Sequence, residues 1–275
     1  MKKVFESTLL ISLLVFSFFL TDKTSQVIKD MDEIMIMIKQ NKSKYETKSI
    51  SAKIDNNSII PGISKRIVNI NKSYSSMKEY GKYNPNLYVY DYINPKVSIK
   101  DNKDKYINLG LSNKRMVSIN FILDDTNYLD EIVTILDRNN IKATFFIDED
   151  FLSNNLDLVY NLIKEGYIIG IKNNYSNYKW MNTIITKVGK QKNIYCLYNN
   201  RKTVYKCMSI DGYAIKGITI DNNYYSNIKD NLRSGSIFNL KVNNNLINNL
   251  DLIIKFILKK GYSIEEINTH VQECY

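Results

Sequence analysis

The stretch IVTILDRNNIKATFFIDEDFLSNNLDLVYNLIKEGYIIG, residues 132–170, holds a complete structural period. Leu129, Ile132, Val133 and Leu136 fall at i, i+3, i+4 and i+7, one apolar stripe of a helix. IKATFFI follows as a short apolar run, the length and composition of a strand. Leu156, Val159, Tyr160 and Ile163 form a second helical stripe that Gly166 stops, and YIIGI is another apolar run. Strand runs that are apolar throughout, separated by amphipathic helices, describe a parallel sheet covered by helices.

The same period extends both ways. RMVSINFIL precedes the stretch as a strand. NIYCLY, YAIKGITI, SIFNLKV and YSIEEI follow as strands. Trp180, Ile184, Ile185 and Val188 suggest a helix, Asn227 to Leu232 a short polar one, and Leu246, Leu250, Ile253, Ile254, Ile257 and Leu258 the clearest of all. Residues 112–270 thus give seven strands with helices between most of them. This is an α/β class, and the strand pattern alone leaves an open sheet and a barrel equally available.

Residues 24–110 read differently. A helical stripe (Ile28, Met31, Ile34, Met35, Ile38) leads into ISAKI as a strand and a turn at Pro61-Gly62. A helix over Ser73 to Tyr80 stops at Gly81, and Tyr88 to Tyr90 and Val97 to Ile99 read as strands. The region shows no large apolar core of its own and is expected to pack on the second region.

Lys2 and Lys3 precede the apolar run Leu9–Leu20. It is shorter than the roughly 20 residues of a bilayer span, but fits the h-region of a signal peptide or a signal anchor. Residues 1–23 are therefore expected to act as a signal peptide or membrane anchor, placing the rest at the extracellular face or in secreted form. A buried first helix of a cytosolic protein is the alternative.

Composition removes several classes. The chain has 275 residues, 44% of them hydrophobic and 24% charged, which excludes a disordered tail. It has one histidine, His270, so no mechanism that needs two is available; its place after the last strand reads as a surface site. Three cysteines and one histidine are too few for a conventional structural zinc site unless an acid or a second chain completes it. The net charge is +10, spread without a long basic run and poor in Arg. That suits an anionic lipid or wall-polymer surface at least as well as nucleic acid. A basic nucleic-acid binder is the outlying alternative.

Cys196 and Cys207 flank the polar stretch NNRK. A β-hairpin turning at Arg201 and Lys202 would set them opposite each other, with Tyr198 facing Tyr205, and permit a disulfide. Two buried thiols, or a helix around Cys207 that spoils the hairpin, are the other readings. Cys274 is left unpaired.

The motifs resemble those of the NodB-homology polysaccharide deacetylases. Residues 132–170 are similar to the family stretch I-L-D-x-L-x-x-x-x-I-K-A-T-F-F…L-V-x-x-I-x-x-x-G-H-x-I-G. GSIFNLKVNN with LDLIIKFILKKGYSIEEI resembles its G-x-I-x-L-x-H strand, long helix and closing G-Y. The similarity covers residues 112–270. It implies a distorted seven-stranded (β/α) barrel over 111–275, with a smaller α/β extension over 24–110. The order of the two regions also resembles an uncharacterised subgroup of membrane-anchored deacetylase-like proteins. Active members remove acetyl groups from N-acetylglucosamine polymers with a divalent metal.

The resemblance also places the chemistry, and this chain departs from it at each step. T-F-D-D-G, which supplies a base and a metal ligand, falls on Asn120-Phe121-Ile122-Leu123, with Asp124 and Asp125 two residues late and no glycine after them. G-N-H-x-x-x-H falls on residues 170–176: Lys172 takes the first histidine position, and Ser176, or Asn177 with an insertion, the second. R-x-P-x-G has no counterpart near Cys196 to Asn200, and the last-strand histidine is matched by Lys241. A lysine in a metal site sets one cation where another must bind. The lysines either end their strands as solvated side chains or form a cleft floor with Asp124 or Asp125.

The expectation is a metal-free, cofactor-free, non-catalytic deacetylase-like protein. Its partner would be an envelope polysaccharide, a peptidoglycan-like glycan or an envelope protein. The alternative is an active deacetylase-type hydrolase of C–N amide bonds with a rebuilt site.

Overall fold

A computed structural model describes residues 12, 15–17, 23–172 and 175–274. Most of the Leu9–Leu20 run lies outside them, as do Asn173 and Asn174 of the second motif. Among the described residues no helix is long and apolar enough to cross a membrane. The chain divides into two compact units. One joins residues through Lys48 to Lys65–Ile93; the other joins Ser49–Ser64 to Asn94 onward.

The first unit pairs strands Lys65–Val68 and Tyr90–Ile93 antiparallel and carries helices Glu33–Asn41 and Ile70–Tyr80. Asp32 caps the first helix by accepting from Ile34 N, and Gly81, at φ 88°, ends the second. This unit has a small core of its own: Ile34, Ile38, Val68, Met77 and Tyr88, with Tyr45, Tyr74, Tyr83 and Tyr90 against them. Aliphatic residues there are few, and tyrosine rings supply the buried area that a count of aliphatic stripes overlooks.

In the second unit the strands are β1 Lys53–Asp55, β2 Ser58–Ile60, β3 Tyr106–Ile107, β4 Met116–Ile122, β5 Thr144–Ile147, β6 Ile168–Ile171, β7 Tyr195–Leu197, β8 Tyr213–Ile215, β9 Ile218–Ile220, β10 Ile237–Lys241 and β11 Ser263–Ile264. The helices are α1 Leu129–Arg138, α2 Glu149–Asn154, α3 Leu156–Lys164, α4 Tyr178–Asn182, α5 Arg201–Met208, α6 Tyr224–Asn231, α7 Asn244–Lys259 and α8 Ile267–Val271. The sheet order is β1-β2-β3-β8-β7-β6-β5-β4-β10-β9, parallel except for the β1–β2 hairpin. β11 pairs with the first residues of β4, on the side that β5 reaches only from Asn120 onward.

The expected strand YAIKGITI is two strands. Its first half pairs with β7 and its second with β10, so eight consecutive residues touch both edges and curl the sheet into a barrel. The bend falls at Gly217, whose φ of +54° and 2.6 Å approach of a would-be Cβ to Ile237 O exclude a side chain. β1, β2 and β3 extend the sheet beyond β8, so residues 49–64 and 94–110 belong to the barrel unit and not to an extension ending at 110. Val97 to Ile99 forms no strand; Ile99 N donates to the Glu273 carboxylate instead.

β4 shows why the strands are apolar throughout. Val117, Ile119, Phe121 and Leu123 face the helices, while Ser118 and Asn120 face the barrel interior, and all are buried. α7 buries Leu246, Leu250, Ile253, Ile254 and Ile257 in the same core, each contributing about 1.5–3 kcal/mol.

The hairpin expected around NNRK does not form. Asn200 accepts from Lys202 N and, with Thr203, closes a capping box that starts α5. The structure joins Cys196 on β7 to Cys207 on α5, with Cα atoms 6.0 Å apart, across a strand–helix pair. Tyr205 lies on the helix and does not face Tyr198. Cys274 is free.

Candidate functional site

In parallel α/β barrels, chemistry collects where the strands end at their carboxyl side. Here β4 ends at Ile122 and the next residue, Leu123, is fully buried, its N–H donating to Phe146 O. The two positions where the resemblance expects acids are thus spent on packing. Asp124 and Asp125 lie on the loop beyond. Asp125 is exposed and accepts from Asn127 N at 2.8 Å, bracing its own loop. Asp124 turns back over the strand ends.

What Asp124 meets is Lys172. The lysine follows β6, its N–H bonded to Ile147 O, and only 9% of its side chain is exposed. Its ammonium forms an ion pair with Asp124 Oδ1 and stands 3.4 Å from Asp148 Oδ2. Lys241, the last residue of β10, approaches Asp124 Oδ2 at 3.8 Å and is half exposed. Lys172 therefore forms a floor, while Lys241 remains at the solvated rim. Burial pushes the Asp124 carboxyl up, but Lys172 and then Lys241 outweigh it and hold its pKa below the ordinary aspartate value.

Ser176 lies beneath. Its hydroxyl donates to Lys172 O at 3.2 Å and accepts from Glu149 N at 3.3 Å. It fastens the β6 loop to the start of α2 and contributes nothing to the cleft surface.

Asp148 is a site residue that motif matching misses. It follows β5, caps α2 by accepting from Phe151 N, and turns its second oxygen to Lys172. Its signal was present: an acid immediately after the KATFFI strand sits at the same level as Asp124 after the neighbouring strand. Also missed is the layer below. Asn120, Thr144 and Asn239 are adjacent in register and fully buried. Asn120 Nδ2 donates to Asn239 Oδ1 and Asn239 Nδ2 to Lys216 O, which fixes the bend between β8 and β9.

His270 is at the opposite end. It is fully buried, not a surface residue, with Nδ1 2.6 Å from Ser118 Oγ and no partner on Nε2. A Cβ on Gly110 would stand 2.4 Å from its ring. Burial lowers its pKa to about 3, so it is neutral at physiological pH.

The donors at the C-terminal cleft are carboxylates only, with an ammonium between them. Among the described residues no group of three or more His, Cys, Asp or Glu side chains could hold a metal ion. Lys172 occupies the space between Asp124 and Asp148 that a divalent ion would share.

The fold is that of the family 4 carbohydrate esterases, the polysaccharide deacetylase barrel. The structure is similar to BA3943 of Bacillus anthracis, a pseudoenzyme of that family, with a TM-score of 0.64 and 20% identity over 89% of this chain and 96% of that one. It is also similar to PdaA of Bacillus subtilis, a family 4 carbohydrate esterase, with a TM-score of 0.53 and 18% identity over 62% of this chain and 86% of that one. In sequence, 151 residues are 32% identical to the uncharacterised protein YlxY of Bacillus subtilis. That match takes in 54% of this chain and spans about half, 47%, of the relative's length. No family model matches the chain.

Proposed function

We propose that this is a non-catalytic deacetylase-like protein of the cell envelope, held at the extracellular face or secreted, that binds a glycan or another envelope component and takes no metal at its cleft. The observation that carries this reading is the Lys172 ammonium between Asp124 and Asp148. Deacetylation in such a barrel needs an activated water, a polarised carbonyl and an acid for the leaving amine. Here the carboxylate that would act as base is committed to two lysines. Its neighbour Asp125 braces a loop, and the histidine is sealed at the far end.

The solved relatives support the glycan. They include a peptidoglycan N-acetylglucosamine deacetylase with a TM-score of 0.53 and 18% identity. A mutant of BA3943 has restored enzymatic activity, so a silent barrel of this shape can host the reaction once its residues are replaced. The disulfide supports an oxidising compartment, and the net positive charge supports an anionic wall surface. The apolar Leu9–Leu20 run supports membrane attachment or export.

The experiment pairs two assays on the purified chain. Chitooligosaccharide incubated with zinc or cobalt should release no acetate, while insoluble peptidoglycan should sediment the protein. Acetate release by the wild-type chain would end the non-catalytic reading; failure to co-sediment would end the glycan reading. The double variant Lys172→His, Ser176→His should remain inactive, because the acid register and the arginine motif are also missing.

A further inference from the structure

The helical stripe Ile28, Met31, Ile34, Met35 and Ile38 divides into an exposed half and a buried half. Asp32 has extended backbone (φ −65°, ψ 134°) and starts helix Glu33–Asn41 anew. Beyond it, Ile34, Met35 and Ile38 are buried. Before it, residues 23–31 are helical, and Val27, Ile28 and Met31 are 57%, 67% and 75% exposed. Positions i, i+1 and i+4 share one face of a helix.

The opposite side of residues 23–31 is the one that is fastened. Lys29 Nζ donates to Asn71 Oδ1 at 3.0 Å and stands 5.0 Å from the centre of the Tyr74 ring. Asp30 accepts from Lys39 Nζ at 2.9 Å. At the kink, Asp32 accepts from Lys78 Nζ at 2.6 Å and from Tyr74 OH at 3.2 Å. Polar contacts thus hold this helix to helices Glu33–Asn41 and Ile70–Tyr80, and its apolar face is left uncovered. That is the reverse of a surface helix in water, which buries its apolar stripe and exposes its charges.

Whatever covers this face must be apolar and must lie near the Leu9–Leu20 run. From Leu20 to Val27 the chain reaches at most about 25 Å. Val15 and Phe16, within the run, are helical and also exposed, at 63% and 59%. A second copy of the chain fits poorly. Three side chains fall far short of the roughly 800 Å² per partner of a stable interface. Residues 23–48 and 65–93 also carry eleven basic and six acidic side chains, an excess that repels a like unit and suits anionic headgroups. A bilayer surface demands less area, because the run already tethers the helix beside it. We propose that residues 23–31 lie on the bilayer surface, with Val27, Ile28 and Met31 at the boundary between headgroups and acyl chains. The proposal rests on the Leu9–Leu20 run being retained as a membrane anchor.

The test uses the full chain in vesicles of phosphatidylglycerol and phosphatidylethanolamine, with Cys274→Ser to remove the free thiol. A fluorophore is attached at Ile28→Cys or, as the control, at Gln40→Cys on helix Glu33–Asn41. Both native side chains are exposed, as are Val27 and Met31, so the variants keep the fold. Nitroxide-labelled lipid should quench the label at position 28 about threefold more than the label at position 40, or better. Adding Val27→Asn and Met31→Asn should bring the two to the same level while the chain still floats with the vesicles. Equal quenching at both positions in unaltered chain that floats overturns the proposal and leaves membrane attachment standing. Failure to float overturns both. A disulfide-linked dimer of Met31→Cys in the same vesicles, with no lipid quenching at position 28, overturns it and assigns the face to a second copy.

Discussion

The two ends of the barrel use the same kinds of residue in opposite ways. At the C-terminal strand ends, two lysines and two aspartates lie on loops and rims and neutralise one another in partial contact with water. At the N-terminal end, the one histidine, carried on α8, is enclosed against Ser118 and Gly110, neutral and out of reach of any substrate. A titratable residue is chemically useful only where solvent or ligand can exchange with it. Composition already excluded a two-histidine site; the structure adds that the remaining histidine belongs to the core and that a lysine took the place at the cleft.

The largest expected effect is at the closed end. His270→Leu removes a buried ring and leaves Ser118 Oγ unpaired, which should cost about 2–4 kcal/mol in urea denaturation. The variant also sharpens the comparison through pH. The folded pKa lies near 3, below the ordinary value of 6.5, so the unfolded chain takes up the proton first. Stability is complete above pH 6.5 and falls by about 1.4 kcal/mol per pH unit as pH drops toward 3. His270→Leu should flatten that slope. A wild-type stability that is level between pH 6.5 and 4 would show the histidine to be solvated.

Next in size is the disulfide. Reducing Cys196–Cys207, or replacing both by Ala, should lower stability by about 2–3 kcal/mol. Peptide mapping under non-reducing conditions should recover the two cysteines together and Cys274 alone. Alkylation of all three thiols in protein recovered from cells without reductant would remove both the crosslink and the argument for an oxidising compartment.

At the open end the effects should be smaller and graded. Lys172→Met leaves Asp124 and Asp148 facing each other with no cation between. It should cost about 1–2 kcal/mol, between the limits for exposed and buried pairs. Lys241→Met, at a half-exposed rim with a 3.8 Å contact, should cost under about 0.5 kcal/mol. The Asp124 pKa is depressed, so its pairing stabilises the fold above the ordinary aspartate value and is lost as pH falls through the lowered one. Lys172→Met should remove that lowest part of the acid limb and leave the histidine part intact. Equal costs for the two lysines would mean that Lys172 is not the centre of the cluster.

Much of this was legible in the chain. The apolar runs and helical stripes of residues 112–270 locate the strands and major helices, because burial on both faces leaves no polar alternation to misread. The meeting of Lys172 and Lys241 with Asp124 or Asp125 follows from the motif alignment and the barrel that the resemblance implies; the structure selects Asp124. Three features were hidden, two because each depends on a tertiary partner and one because a local cap outweighs an alternating pattern. YAIKGITI reads as one strand, and only the approach of Ile237 to Gly217 shows the bend. TVYKC has the alternation of a strand, but the capping box at Asn200 and Thr203 commits it to a helix. His270 carries no sequence mark of burial, since the glycine that makes room for it is 160 residues away at Gly110.

The central claim is that the Lys172 ammonium stands where a catalytic barrel of this fold would need its metal. Titration of the purified chain with zinc at neutral pH, followed by metal analysis after desalting, tests it directly. The expected result is no bound equivalent in the wild-type protein and none in Asp124→Ala. About one equivalent of zinc per chain, retained through desalting and lost in Asp124→Ala, would contradict it.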